Sequence, residues 1–138
     1  MRIYLTHCSA EKDVQLKETG IAVTPDRLYT NPDIQQFMMR CKTQAVNWAI
    51  LSDRYGVYRS NDYHVWYEKH PDTVTNQEEA QIIQAFDHQL SHYDEIWFYV
   101  RPASFHSFYE RVLRKTDLAD RVQMFQNVGD IVKSQKLA

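Results

Sequence analysis

Residues 95–101, EIWFYVR, form an apolar and aromatic run closed at each end by a charged side chain. A strand with one wet face alternates apolar and polar residues, so an unbroken run this short is the pattern of a strand covered on both faces. That pattern belongs to parallel sheets, and the run reads as the central strand of one.

The rest of the chain supplies partners for it. Residues 2–7 (RIYLTH) and 46–52 (VNWAILS) are short and rich in β-formers, and 121–125 reads as a fourth strand. Between them fall helix signals. Thr30 or Asn31 can cap a helix with Pro32 in its first turn, and Ile34, Phe37, Met38 and Cys41 recur at helical spacing to about Gln44. Thr75 and Glu78 have capping-box spacing ahead of an apolar stripe over 76–91. Pro102 opens a helix over about 103–115, and Asn127 caps a last one over 128–135. Residues 8–30 read as a loop with a turn of helix. This alternation predicts an α/β fold: a three-layer sandwich with a mainly parallel sheet of about four strands and helices on both faces. Ligands in such sheets settle at the carboxyl ends of the strands, which directs attention to residues 8–12, 52–68 and 101–104.

The chain of 138 residues suits a single α/β domain over 1–138. No apolar run nears the roughly 20 residues that span a bilayer, and the N-terminal apolar stretch is too short for a secretory signal, so no membrane is expected. Two cysteines do not make a disulfide framework, and a cytoplasmic location is expected. A net charge of -2 lacks the basic excess of a tight non-specific nucleic-acid binder. Three glycines cannot furnish a phosphate-cradling loop, and neither GxxxxGK[ST] nor GxGxxG occurs.

Chemistry-bearing side chains gather after the strands. HCSAEK places Cys8, Ser9 and Lys12 together, with Ser9 and Lys12 at the Ser-x-x-Lys spacing in which an amine can activate a hydroxyl; anion binding and a plain solvated loop are the other readings. Tyr55, Arg59, Asp62, His64, Tyr67 and Glu68 offer a stacking face, a cation for phosphate and carboxylates for polar edges, which are nucleotide-like demands. The alternative is that these aromatics plug the core. His7 could orient a ligand or be a satisfied residue at the core edge. His88 and His92 share a helix face, but without further ligands they read as solvated, and no metal or cofactor is expected.

Tyr55-Gly56-Val57, Arg59, Asp62 and Tyr67, in the stretch ILSDRYGVYRSNDYHVWY, resemble the ILS and YGV-x-R-x-x-D-x-x-x-x-Y signature of the peroxide-stress YaaA family. Ser9-x-x-Lys12 resembles that family's SPAK segment, and Leu28-Tyr29-Thr30 its YTG element. Related short domains carry CSxxK, LYT and ILSxxYG. The likeness covers about the first 70 residues; Glu11 stands where the family has Ala, Asn31 where it has Gly, and the chain lacks room for the longer members' helical insertions. The resemblance implies a role in oxidative or DNA-damage stress protection and a bias toward nucleobases or nucleic acid.

The expectation is a pocket at the carboxyl ends of the strands for a nucleotide, nucleobase or sugar phosphate. Asp62, Lys12 and Ser9 are its catalytic candidates, with Asp62 as general base. Cys8, Tyr29, Ser52, Tyr55, Gly56, Arg59, Tyr67 and Glu68 are its binding residues, Lys12 and Arg59 taking the anion and Tyr55 or Tyr67 stacking. If a reaction occurs, N-glycosidic bond chemistry is the expected class. The alternatives are a non-catalytic nucleic-acid or partner-binding module and a homodimer interface through residues 55–67.

Overall fold

The computed structural model describes residues 1–101 and 105–133. Its strands are β1 (Arg2–His7), β2 (Asn47–Ser52), β3 (Gly56–Arg59), β4 (Glu95–Tyr99) and β5 (Val122–Phe125), and its α-helices are α1 (Pro25–Leu28), α2 (Pro32–Gln44), α3 (Asn76–Leu90) and α4 (Ser107–Lys115). The five strands form one sheet in the order β3-β2-β1-β4-β5. Every pairing is parallel except β2 with β3.

The central strand is β1, not the 95–101 run, which forms β4 one place from the edge and ends at Tyr99. In β1 every residue after Arg2 is buried, as is every residue of β2 after Asn47, whereas Trp97 and Tyr99 stay half-buried. Side chains at the sheet margin cover part of that aromatic bulk: the Arg2 guanidinium lies 4.1 Å from the Trp97 ring centre, and Phe125 packs beside both Trp97 and Tyr99. A continuous aromatic run thus signals burial by whatever lies near, with no guarantee of the middle position.

The fifth strand comes from a segment expected to be loop. Ser52 Oγ accepts from the backbone N–H of Arg54 (3.1 Å) and Tyr55 (3.0 Å), which closes a tight turn. Gly56 follows with φ +69°, a backbone state that costs a residue with a Cβ. GVYR then runs back along β2, with Gly56 opposite Ser52 and Arg59 opposite Ala49. The Tyr58 hydroxyl donates to the carbonyl of Val23, and Val23 and His64 exchange backbone hydrogen bonds, so the hairpin is also sewn to the 8–30 segment.

The helix ends follow the sequence signals closely where those signals are caps. Asn31 Oδ1 accepts from the N–H groups of Asp33 (3.0 Å) and Ile34 (3.2 Å) to start α2, and Ile34, Phe37, Met38 and Cys41 are its buried face. The Thr75 and Glu78 capping box starts α3. α4 begins at Ser107, where His106 Nδ1 accepts from Phe108 N–H; its expected start near Ala103 lies outside the described residues. No α-helix forms at 128–133: Val128–Asp130 is a single 3-10 turn capped by Asn127, and the expected remainder at 134–135 is outside the described residues. Arg40 of α2 accounts for the difference, donating to the carbonyls of Gly129 (3.1 Å) and Ile131 (2.9 Å) and holding the segment against α2. Among the described residues, no helix is long and apolar enough to cross a membrane.

Candidate functional site

β1 and β2 end side by side. His7 pairs with Leu51, and Cys8 N–H donates to the Leu51 carbonyl (3.0 Å), so Cys8 emerges beside Ser52 and Asp53. Because the strands are parallel, their next residues leave the same edge of the sheet. A cleft of about 260 Å³ opens there. Cys8, Ser9 and Glu11 line one wall, Asp53 and Tyr109 its depth, and Asn31, Lys69, His70, Arg101 and His106 the remainder.

The deep part holds proton-bearing groups. Asp53 is only 3% exposed, and Cys8 Sγ–H donates to its Oδ1 at 3.5 Å. The Tyr109 hydroxyl is 3.0 Å from the same sulfur. Burial, followed by the charge of Asp53, pushes the Cys8 thiol up to about 11, so it is a thiol at neutral pH. Burial also raises Asp53 above the ordinary carboxylate range, against the Cys8 hydrogen bond and the charge of Lys12. A carboxyl held toward its neutral form at the wall of a cleft is equipped to give or take a proton.

The opposite part is cationic and rigid. Arg101 is 6% exposed; its Nη2 donates to the carbonyls of His7 (2.6 Å) and Cys8 (3.3 Å) and to His7 Nδ1 (2.8 Å), while Nη1 donates to Asn31 Oδ1 (3.2 Å). A guanidinium has no lone pair to offer, so His7 Nδ1 must be the acceptor and His7 is the neutral Nε2–H tautomer. Burial and the Arg101 charge agree with this, lowering His7 to about 3. Asn31 Nδ2 donates to Glu11 (3.0 Å), and His106, whose Nδ1 is occupied by Phe108 N–H, donates through Nε2 to Asp72 at 2.6 Å. Asn31, His70 and His106 are N-cap residues of α2, the Pro71–Thr73 turn and α4. The positive ends of α2 and α4 therefore lie near the cleft.

Behind the wall, Tyr67 joins the two halves of the sequence. Its hydroxyl meets those of Tyr29 (2.7 Å) and Ser52 (3.1 Å), and its ring lies 4.3 Å below the Lys12 ammonium. Burial lowers the Lys12 ammonium, against the attraction of Cys8, Asp53 and Glu68.

The expected site residues separate into groups. Cys8 and Ser9 line the cleft; Ser52, Tyr29 and Tyr67 form the buried hydroxyl cluster beside it, Lys12 stands over that cluster, and Glu68 is exposed. Tyr55 and Gly56 line a smaller adjoining hollow that shares Asp53. Tyr55 stacks on His64 with ring centres 3.9 Å apart. Arg59 and Asp62 are elsewhere. Arg59 donates to the Asp62 carboxylate through N–H (2.8 Å), Nε (3.0 Å) and Nη2 (3.2 Å), at the end of β3 away from Ser52, and neither residue lines the cleft. Asp62 turns the chain and is spent on Arg59. His88 and His92 are exposed, and among the described residues no group of three His, Cys, Asp or Glu side chains could hold a metal ion.

Asp53, Arg101, His106 and Tyr109, like Lys69 and His70, are cleft residues that the sequence did not single out. Asp53 and Arg101 were signalled by position, each closing an apolar run at a strand end; Tyr109 looked like any aromatic on an amphipathic helix. A larger hollow, about 460 Å³, opens at the amino ends of the strands near Arg2, Asn47 and Glu95. Arg2 pairs there with Glu95 at 2.7 Å and the terminal amine with Asp94 at 2.6 Å, and Lys133 also lines it. No protein-family model, curated protein or solved structure matches this chain.

Proposed function

We propose that the cleft at the carboxyl ends of β1 and β2 binds one small nucleotide-like ligand, a nucleobase, nucleoside or sugar phosphate, with Asp53 in the acid–base role that the sequence suggested for Asp62. One observation carries this reading: side chains from four separate stretches of chain, Cys8, Asp53, Arg101 and Tyr109, meet with buried polar atoms at one opening. Arg101, Lys69 and the N-cap residues favour the anionic part of such a ligand, and the Asp53 carboxyl favours a base edge or sugar hydroxyl. The size supports a single small ligand, because about 260 Å³ is below the range of drug-sized sites. If the ligand reacts, N-glycosidic bond chemistry is the class that a carboxyl of this kind serves.

The reading takes the sheet as the middle of three layers, which leaves its carboxyl edge as the open rim. Phe37 of α2 stacking on Tyr99, and Tyr109 of α4 packing on His7, support that arrangement. The likeness of residues 50–67 to the YaaA family supports a nucleobase-related ligand and a stress-protection role.

A thermal-shift screen of nucleobases, nucleoside monophosphates and ribose 5-phosphate tests the site. A ligand near 100 times its Kd should stabilise by about 2.7 kcal/mol. It should do so for wild type and Asp62→Asn and fail to do so for Asp53→Asn. Equal stabilisation of all three proteins would move the ligand elsewhere. A response that collapses between low and moderate salt would favour the nucleic-acid-binding module instead.

A further inference from the structure

Two openings meet at one carboxyl group. Asp53, 3% exposed, lines the cleft at the ends of β1 and β2 and also the smaller hollow, about 210 Å³, between α3 and the turn that joins β2 to β3. Among the described residues it is the one common to both linings. A second link runs the same way. Lys69 lines the cleft, Glu78 lines the hollow, and the Lys69 ammonium stands 3.2 Å from both carboxylate oxygens of Glu78. Glu78 is itself held in place, its Oε1 accepting from Thr75 N–H at 2.9 Å. A buried carboxyl and an ion pair thus stand where the two spaces adjoin.

The two spaces differ in chemistry. The cleft gathers Arg101, Lys69 and the imidazoles of His70 and His106, the surroundings that a phosphate seeks. The hollow is flatter in character: Tyr55 and Ile82 give it apolar walls, and the Tyr55 hydroxyl is spent on the Val65 carbonyl (2.9 Å). Arg54, its guanidinium 5.3 Å from the Tyr55 ring centre, and Gln81, exposed on α3, add polar groups beside those walls. Apolar walls with a few polar groups at the edge suit a planar heterocycle. Volume points the same way. About 260 Å³ and about 210 Å³ each fall short of the roughly 300–1,000 Å³ of sites for drug-sized ligands, and the two together fall within it.

We propose that the cleft and the hollow are the two subsites of one nucleoside monophosphate site, with phosphate and sugar in the cleft, the base in the hollow, and the bond between base and sugar beside Asp53. This inference rests on the ligand reading of the cleft and extends it, because the carboxyl given the acid–base role there stands at the junction where the N-glycosidic bond of such a ligand lies. A ligand that fills both spaces gains contacts from each while losing its free translation and rotation only once, so it binds more tightly than a ligand that fills the cleft alone.

Calorimetry on the full chain with ribose 5-phosphate and the four common nucleoside 5′-monophosphates tests this. At least one monophosphate should bind about tenfold more tightly than ribose 5-phosphate, or better. In Gln81→Trp, whose indole would fill the hollow from the exposed side of α3, that ratio should fall to near one. In the wild type, nuclear Overhauser contacts should join the protons of the base to the Ile82 methyl groups, which locates the base even if the variant does not fold. Equal affinities in the wild type, an advantage that survives Gln81→Trp, or a bound base without contact to Ile82 would overturn the second subsite. Ribose 5-phosphate binding that Asp53→Asn abolishes, with no gain from any base, would leave the cleft and remove the hollow. No binding by any of these ligands would remove both.

Discussion

The hydroxyl oxygens of Tyr29 and Tyr67 lie 2.7 Å apart although 38 residues separate them in the chain. Both rings are buried, and the Tyr67 hydroxyl also meets Ser52 Oγ, so one oxygen ties the end of β2 to the segments that precede α2 and α3. Removing that oxygen leaves buried hydroxyls short of a partner, which costs about 1–3 kcal/mol. Tyr67→Phe should therefore lower the urea midpoint accordingly with m unchanged. A loss under about 0.5 kcal/mol would mean that the cluster is solvated rather than closed.

His7 makes the fold acid-sensitive. Burial, and then Arg101, lower its folded value from 6.5 to about 3. Below 6.5 the unfolded chain binds a proton that the folded chain refuses, so this contribution is full above that value and is lost as pH falls toward 3. Between about pH 7 and pH 5 the loss from His7 should be roughly 2 kcal/mol. Urea unfolding at both values checks it, and His7→Gln should flatten most of the slope. His64, also lowered by burial, adds in the same direction, and Asp53, raised by burial, works against both.

Legibility in the sequence followed the range of the forces involved. Local signals were reliable: the cap just before Pro32, which falls to Asn31 of the two candidates, the Thr75 and Glu78 box, and the apolar spacing over Ile34 to Cys41 all act within a turn or two of the chain. The order of strands was not local. Nothing in EIWFYVR distinguishes the central strand from its neighbour, because Trp97 finds part of its cover in Arg2 and Phe125. The site was half legible for the same reason. Cys8 and Ser9 could be placed at the cleft by the rule that ligands meet strand ends, but Asp62 does not line it, because its partner Arg59 belongs to a hairpin hidden in an aromatic-rich stretch. Asp53, read only as the residue ending a strand, is the carboxyl that faces the cleft.

Gly56 is required by its backbone rather than by space. Its φ is +69°, and a Cβ there would meet Ile82 at an ordinary 3.8 Å. Gly56→Ala should thus cost about 1–2 kcal/mol from the left-handed backbone alone. The loss should appear in equilibrium unfolding with the ligand response of the cleft intact. A loss well above that range would point to a clash the present packing does not contain.

Cys8 faces the cleft and should nonetheless be inert. With burial as the main cause its thiol is pushed from 9.0 up to about 11, which cuts the thiolate fraction at neutral pH roughly 100-fold below that of an ordinary cysteine. In folded protein, iodoacetamide should label Cys8 far more slowly than in urea, with a rate that climbs until about pH 11. The same raised value makes the folded state hold its proton longer than the unfolded one, so stability from this group is complete below 9.0 and declines as pH rises through 11. Rapid labelling of native Cys8 at neutral pH would mean that the thiol is already ionised, and a thiolate has no proton to donate to Asp53 Oδ1.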